Sequence, residues 1–407
     1  MNVLFLTMNV FTDIEMHNIY SDLMKEFIRH GHRPYIVTPR EKKMNQPTEL
    51  ISFEKYNLLK VQTGNISSSS LIEKGISTVT LSKKYYKAIM KYLENIKFDL
   101  ILYSTPPITL VKPVKKLKKK LNCKTYLMLK DIFPQNAIDL EMFSKMSPIY
   151  IYFRIKEKAL YRISDYIGCM SPANVDYILE HNPYIDKEKV MVCPNGIDPI
   201  DVSVTDDSKV KIREKYSIPL NKKVFVYGGN LGKPQGIPFL IECLKSQKEN
   251  DKVFFLIVGD GTEYGKIEKY LNYEEQKNVM LLKKLPKEDY DRIIVSCDIG
   301  MIFLDRRFTI PNFPSRLLSY MQVGLPILAV TDQNTDVGNV IVEGGFGWWC
   351  GSDDLKGFCN AIDIICKSNQ LDQYGYNSNC YLKKNYSVDC VYKKIMLSFK
   401  KEAYEYE

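Results

Sequence analysis

Residues Val224–Leu240, VFVYGGNLGKPQGIPFL, constrain this chain more than any other stretch. Val224 to Tyr227 is a short, continuous run of β-branched and aromatic residues, the mark of a parallel strand buried on both faces. Gly228-Gly229-Asn230 breaks the run. Glycines let a backbone turn tightly and approach a ligand, because no Cβ stands in the way. Gly232, Lys233 and Gly236 continue the loop, and an amphipathic helix starts at Ile237. Strand, glycine-rich loop and helix together favour a phosphate, through free backbone N–H groups and the helix dipole. The same order closes ordinary βα turns, so both readings stand at this point.

The chain has 407 residues, room for two domains of ordinary size. In the first half, apolar runs at Asn2–Thr7, Arg33–Thr38, Asp99–Ser104, Cys123–Lys130, Asp165–Met170 and Val190–Val192 predict buried strands. A short strand is expected near Asn57–Gln62. Helices are expected from about Ile14 to His30, with Asp13 or Thr12 as N-cap, and over Lys83–Ile96, Val111–Leu121 and Ile149–Ile163. A further helix, capped by Ser171, runs to about His181. The turn Asn195-Gly196-Ile197-Asp198 and the polar residues to Ser208 mark a boundary. Beyond it, strands are expected at Val224–Tyr227, Val253–Val258, Val279–Leu282, Ile299–Phe303 and Pro326–Ala329, and near Trp348–Trp349. Strands alternating with helices predict parallel α/β domains over 1–195 and 196–385, each with a doubly wound sheet. The last helix, in 386–407, is a candidate to pack back across the cleft between them. Ligands of such sheets bind at the carboxyl ends of the strands, which puts the expected site in that cleft.

The net charge of +9 permits phosphate-rich, nucleic-acid or anionic-lipid partners and selects none. The ten cysteines form no CxxC, and the four histidines lie in no spacing that pairs with them, which argues against a structural zinc site. Cys169, Cys193, Cys243 and Cys297 sit in or beside apolar runs and read as small core residues. Free thiols, and an apolar start soon followed by Asp13 and Glu15, suggest a reducing cytoplasm rather than a targeting segment. No stretch reaches the roughly 18–20 apolar residues that span a bilayer. Low complexity is confined to Ser67–Ser70.

Two further landmarks join the glycine loop. Gly259-Asp260-Gly261 follows the strand LIV. Pro314-Ser315-Arg316-Leu317-Leu318-Ser319-Tyr320-Met321 opens a helix that ends at Gly324, before a strand. In this order, with the mid-chain Asn-Gly-Ile-Asp turn, the chain resembles retaining glycosyltransferases of family 4, with the GT-B fold of two Rossmann-like parallel α/β domains facing each other across a cleft. The stretches GNLGKPQG, LKDIFPQ and PSRLLSYMQVGLPIL resemble bacterial enzymes of surface-polysaccharide assembly, including N-acetylfucosamine transferases.

The resemblance implies transfer of a sugar from a nucleoside diphosphate sugar, with UDP as the expected carrier, to an acceptor hydroxyl with the anomeric configuration kept. It implies a donor on the second domain and an acceptor on the first. It also implies no metal and no other cofactor: the charge that develops on the diphosphate is met by fixed N–H donors and basic side chains. Asp353-Asp354 reads as a helix cap rather than a metal anchor. The chain departs from the family at four places. Asn230 and Gln235 stand where many members carry Arg and Lys, and Pro311 and Ser319 stand where many carry two glutamates. Lys233 and Arg316 are the candidates for the missing charge, and Ser319 for a ribose contact. The expected donor-binding residues are thus Gly229, Asn230, Lys233, Gly259, Gly261, Lys283, Leu285, Pro314, Ser315, Arg316 and Ser319, with main-chain groups of Leu282–Leu285 beside the base. Glu343-Gly344-Gly345-Phe346-Gly347 is a candidate sugar loop. Asp131 and His17 are the catalytic candidates of the first domain, beside Lys233 of the second. An Asp at a strand end also serves as a cap, and a histidine at a helix start often lies on the surface.

Val111, Val114, Leu117 and Leu121 form a core-facing stripe that leaves Lys112, Lys115, Lys116, Lys118, Lys119 and Lys120 to solvent. Acceptors of such enzymes are often lipid-linked. The lysines, with Tyr150, Tyr152, Phe153, Arg154 and Lys156, are therefore expected to meet the anionic inner face of the cell membrane. No nucleic-acid module accompanies them. Two other readings remain: a nucleotide-sugar 2-epimerase of the same fold, and a non-catalytic partner subunit.

Overall fold

The computed structural model describes residues 1–65, 71–202 and 205–403, and the Ser67–Ser70 run lies outside them. The chain divides into two compact units. Unit 1 is Met1–Asp198 with Val388–Glu407, and unit 2 is Pro199–Ser387.

Unit 1 runs β1 (Asn2–Leu6), α1 (Ile19–Arg29), β2 (Arg33–Glu41), β3 (Glu49–Ser52), β4 (Asn57–Thr63), α2 (Leu71–Tyr92), β5 (Leu100–Ser104), α3 (Val111–Leu121), β6 (Lys124–Leu129), α4 (Gln135–Asp139), α5 (Pro148–Ile163), β7 (Tyr166–Cys169), α6 (Pro172–His181) and β8 (Val190–Val192). Its sheet has the order β3-β4-β2-β1-β5-β6-β7-β8. The edge strand β3 pairs antiparallel with β4, and the other pairings are parallel. The apolar runs become strands because helices cover both faces of the sheet, where alternating polar residues would be stranded. Val3, Phe5, Leu100 and Leu102 are fully buried in this core.

Unit 2 runs α7 (Asp206–Lys215), β9 (Lys223–Asn230), α8 (Ile237–Ser246), β10 (Val253–Asp260), α9 (Tyr264–Glu274), β11 (Val279–Leu282), α10 (Lys287–Ile294), β12 (Ile299–Phe303), α11 (Arg316–Gln322), β13 (Ile327–Thr331), α12 (Val337–Glu343), β14 (Gly347–Gly351), α13 (Leu355–Lys367) and α14 (Leu371–Asn385). Its six strands are all parallel, in the order β11-β10-β9-β12-β13-β14. The chain leaves β9 toward β10 and β11, then crosses back to β12. That reversal beside β9 is the switch point at which open α/β sheets take ligands. Asp354 caps α13, accepting from the Gly357 N–H at 2.8 Å.

Three local expectations change. The first helix starts at Ile19, because Asn18 caps it by accepting from the N–H groups of Tyr20 and Ser21. Residues before it are held elsewhere: Phe11 donates its N–H to Thr38, and Glu15 to Asp13. The second helix runs from Leu71 to Tyr92 rather than over Lys83–Ile96, with Leu81, Tyr85 and Ile89 fully buried. The glycines after Tyr227 do not break β9, which continues to Asn230 and pairs residue by residue with Val258–Asp260. Gly259 permits this, since a Cβ there would lie 2.0 Å from the Gly229 carbonyl oxygen. The last helix, α15 (Val388–Ala403), the candidate to pack back, joins unit 1, where Val388, Val391, Tyr392 and Ile395 enter the core beside α1. The unit boundaries fall at 198/199 and 387/388.

Cys169, Cys193, Cys243 and Cys297 are buried as free thiols. Val111, Val114 and Leu117 of α3 are buried, and Lys112, Lys115 and Lys119 are exposed. No described helix is long and apolar enough to cross a membrane.

Candidate functional site

In unit 2 a cavity of about 650 Å³ opens at the carboxyl ends of β9 and β10. Its floor is backbone from Gly228–Asn230 and Val258–Gly261. Its wall is Lys284, Leu285 and Lys287, with Tyr290 from α10 and Arg316 and Ser319 from α11. The glycines are required by contact. A Cβ on Gly228 would lie 1.8 Å from the Tyr290 hydroxyl oxygen, and one on Gly261 would lie 2.4 Å from the Leu231 carbonyl oxygen. Gly229 has φ +121°, a backbone that L side chains rarely adopt.

Arg316 is the principal charge of this cavity. Its guanidinium lies over the Tyr227 ring, 4.2 Å from the centroid. Nη1 is buried and has no hydrogen-bond partner among the described residues, and the side chain makes no ion pair among them. The phenols around it cannot neutralise it at ordinary pH, because burial raises Tyr227 and Tyr290 and pushes Tyr320 up to about 12. A buried cation with an unsatisfied N–H needs an anionic ligand. Tyr320 fixes the floor by accepting the Gly228 N–H at 3.1 Å. Tyr227 donates to the Asn230 carbonyl at 2.8 Å. Ser319 is half-buried in the same wall.

Asn230 and Gln235 are tied to each other. Gln235 Oε1 accepts from Asn230 Nδ2 at 3.0 Å and from the Gly232 N–H at 3.1 Å. The places that could have carried two cations hold a neutral, self-satisfied loop.

Of the residues expected at a donor site, Gly229, Asn230, Gly259, Gly261, Leu285, Arg316 and Ser319 line this one cavity. Lys233 does not. It is exposed on a 3-10 turn, Lys233–Gln235, and lines a different cavity of about 490 Å³ with Glu242, Lys266, Arg306 and Asp353. Lys283 is exposed outside the lining, which its neighbour Lys284 joins. Pro314 and Ser315 precede α11 and stay outside it as well. Tyr227, Tyr290 and Tyr320 were missed by the sequence reading. The Arg316-x-x-x-Tyr320 spacing, which puts both on one helix face, was the available signal.

In unit 1, Lys130 and Asp131 follow β6. Asp131 accepts from Asn136 Nδ2 with both carboxylate oxygens at 2.9 Å. Burial pushes its carboxyl up to about 6. Lys130 hydrogen-bonds to Asn195, lies 4.9 Å from the Tyr20 ring centroid, and is lowered by burial to about 8. Lys130 stands where relatives often carry a histidine before the aspartate, and it was not among the catalytic candidates. His17 lies before α1, largely exposed, with Nδ1 3.5 Å from the Asp22 carboxylate.

Residues 18–200 match the family model described as Glycosyltransferase Family 4, and residues 208–379 match Glycosyl transferases group 1. The chain is a glycosyltransferase of the GT-B fold. This GT-B chain is 25% identical over 71% of its length to a probable glycosyltransferase, WbjE, of Pseudomonas aeruginosa, covering 71% of that protein. It is 25% identical over 38% of its length to a putative colanic acid biosynthesis glycosyl transferase, WcaI, of Escherichia coli, also covering 38% of it. Its fold matches sucrose-phosphate synthase of Thermosynechococcus elongatus with a TM-score of 0.76 at 14% identity, over 99% of both chains. It also matches Anabaena HepE in complex with UDP and glucose, with a TM-score of 0.71 at 15% identity, over 98% of this chain and 100% of that one.

Proposed function

We propose that this GT-B glycosyltransferase moves a sugar from a UDP-sugar to a lipid-linked or glycan acceptor in surface-polysaccharide assembly, with the anomeric configuration kept. The observation that carries the donor assignment is Arg316: a buried guanidinium with an unpaired Nη1 among glycine loops. As the anomeric bond breaks, charge gathers on the diphosphate, and a preorganised cation with backbone N–H groups stabilises it there without a metal. Ser319 offers a hydroxyl for the ribose, and the main chain at Lys284 and Leu285 faces the base. The UDP named with HepE, and the UDP-2-fluoro glucose named with the Escherichia coli trehalose-6-phosphate enzyme, support UDP as carrier. The names of WcaI and of TuaC, a putative teichuronic acid biosynthesis glycosyltransferase, support a polysaccharide pathway. An N-acetylated amino sugar or a deoxysugar is the proposed cargo. Asp131 is the proposed acceptor-side carboxylate, and the anionic inner membrane face is the proposed place of work.

Thermal unfolding with UDP, GDP, dTDP and CDP in turn tests the donor reading. Ligand at 100 times its dissociation constant adds about 2.7 kcal/mol, a shift of several degrees. A shift with UDP alone, reduced in Arg316→Ala, is expected. No shift with any nucleotide in folded protein would move the chain to a non-catalytic role.

A further inference from the structure

The second cavity of unit 2, about 490 Å³, shares no lining residue with the donor cavity. It is bounded by α8, α9 and the segments that follow β12 and β14. Main-chain bonds brace it. The Asp305 N–H donates to the Pro234 carbonyl at 2.9 Å, the Glu263 N–H to the Leu231 carbonyl at 2.8 Å, and the Ser352 N–H to the Thr331 carbonyl at 2.9 Å. The turns after β9, β10 and β12 are thus tied to one another, and the turn after β14 is tied to β13. A ligand entering here has little left to order, which lowers the cost of binding.

The lining carries four cations and four carboxylates, so its formal charge is balanced. Two pairs are closed: Lys266 with Glu263 at 2.6 Å, and Arg307 with Asp305 at 2.9 Å. Lys233, Arg306, Glu242 and Asp353 are exposed, and their side chains make no hydrogen bond or ion pair among the described residues. Ser352 also lines the cavity. It is 4% exposed, and its Oγ has no hydrogen-bond partner among the described residues. A buried hydroxyl left unpaired costs stability that a bound ligand restores. The unpaired groups decide the ligand class. Inorganic phosphate would face Glu242 and Asp353 as like charges, and a divalent cation would face Lys233 and Arg306 in the same way. A sugar hydroxyl both donates and accepts, so a sugar satisfies cations and carboxylates together. Half-buried Phe239 supplies an aromatic face, negative at its centre, for the C–H groups of a sugar ring.

We infer that this cavity is a second carbohydrate site of unit 2, separate from the donor cavity, and that it holds a segment of the glycan the enzyme builds. That the glycan is the enzyme's own product rests on the reading in surface-polysaccharide assembly.

The test is titration of the full chain, followed by ligand-observed NMR, with cellotriose, triacetylchitotriose and a heparosan tetrasaccharide. These present neutral, N-acetylated and uronate sugars. A dissociation constant in the millimolar range or tighter is expected for at least one of them. Glu242→Ala and Arg306→Ala change exposed side chains, so the fold tolerates them. Each is expected to weaken that sugar by about fivefold or more. Ser352→Ala is expected to weaken it by about threefold or more and to leave the denaturation midpoint unchanged or raised, because the hydroxyl has no protein partner to lose. A Ser352 that served structure alone would lower the midpoint and leave the sugar affinity as it was. Binding of none of the three sugars, binding that all three substitutions leave intact, or displacement of the sugar by equimolar inorganic phosphate would overturn the proposal. UDP titrated into the wild-type chain reads the donor cavity. UDP binding without sugar binding sinks the second site and leaves the donor reading intact. Sugar binding that the substitutions weaken, without UDP binding, keeps the second site and sinks the donor reading.

Discussion

The guanidinium of Arg316 lies over the ring of Tyr227, 4.2 Å from its centroid, so the last aromatic residue of β9's apolar run holds the charge of the donor cavity. A desolvated cation–π contact of this kind contributes about 2 kcal/mol. Tyr227→Leu is expected to weaken UDP binding by roughly tenfold to thirtyfold. Tyr227→Phe keeps the ring and is expected to lose about threefold or less, the share of its hydrogen bond to Asn230. Calorimetric titration of UDP into the two variants checks this, and equal losses would show that the hydroxyl rather than the ring positions Arg316.

Arg316 and Lys233 separate cleanly in a second experiment. Arg316→Ala removes charge-assisted hydrogen bonds and is expected to weaken UDP by about tenfold to a hundredfold. Lys233 lines another cavity, and Lys233→Ala is expected to change UDP affinity by about twofold or less, the scale of a distant screened charge. A large Lys233 effect would mean that the Lys233–Gln235 turn rearranges on binding.

Gly259 predicts a stability effect. Its Cβ would meet the backbone oxygen of Gly229 at 2.0 Å, an atom that cannot swing aside like a side chain. Gly259→Ala is expected to cost about 1–3 kcal/mol or more, read as a lower midpoint in chemical denaturation. Gly265 has open space around its Cβ position, and Gly265→Ala is the control expected to be neutral or stabilising.

Asp131 predicts a pH dependence with a definite sign. Its folded carboxyl is raised to about 6 from an ordinary 3.8 by burial. Between those values the folded state holds the proton that the unfolded state releases, so this group makes the protein more stable as pH falls from about 6 toward 4. Asp131→Asn is expected to remove that component, raising stability relative to wild type above pH 6 and less so at pH 4. If Asp131 serves the acceptor hydroxyl as a carboxylate, transferase activity falls below about pH 6 and is lost in the Asn variant. A Tm difference between the two proteins that does not change with pH would place the carboxyl at an ordinary value.

Hydrophobic patterning determined the elements of this protein. Runs such as Val253–Val258 and Ile299–Phe303 are apolar on both faces, and a two-sided parallel sheet buries them without stranding a polar side chain. The helix over Arg316–Gln322 was legible for a local reason: backbone geometry depends on near neighbours. Tertiary structure decided which charges meet. Lys233 and Arg316 are both basic residues beside glycine-rich loops or helix starts, and nothing in their local sequence ranks them. The turn at Lys233–Gln235, closed by Gly236 at φ +58°, leaves Lys233 exposed in another cavity. The crossing from β12 to α11 delivers Arg316 onto the ring of a residue in β9, far away in the chain. The same long-range packing sent α15 into unit 1, where Tyr392 stacks on His30 at 4.0 Å, and stretched β9 through its glycines against β10. A local pattern fixes how a segment folds. The partners of its polar groups are set by residues that the pattern does not contain.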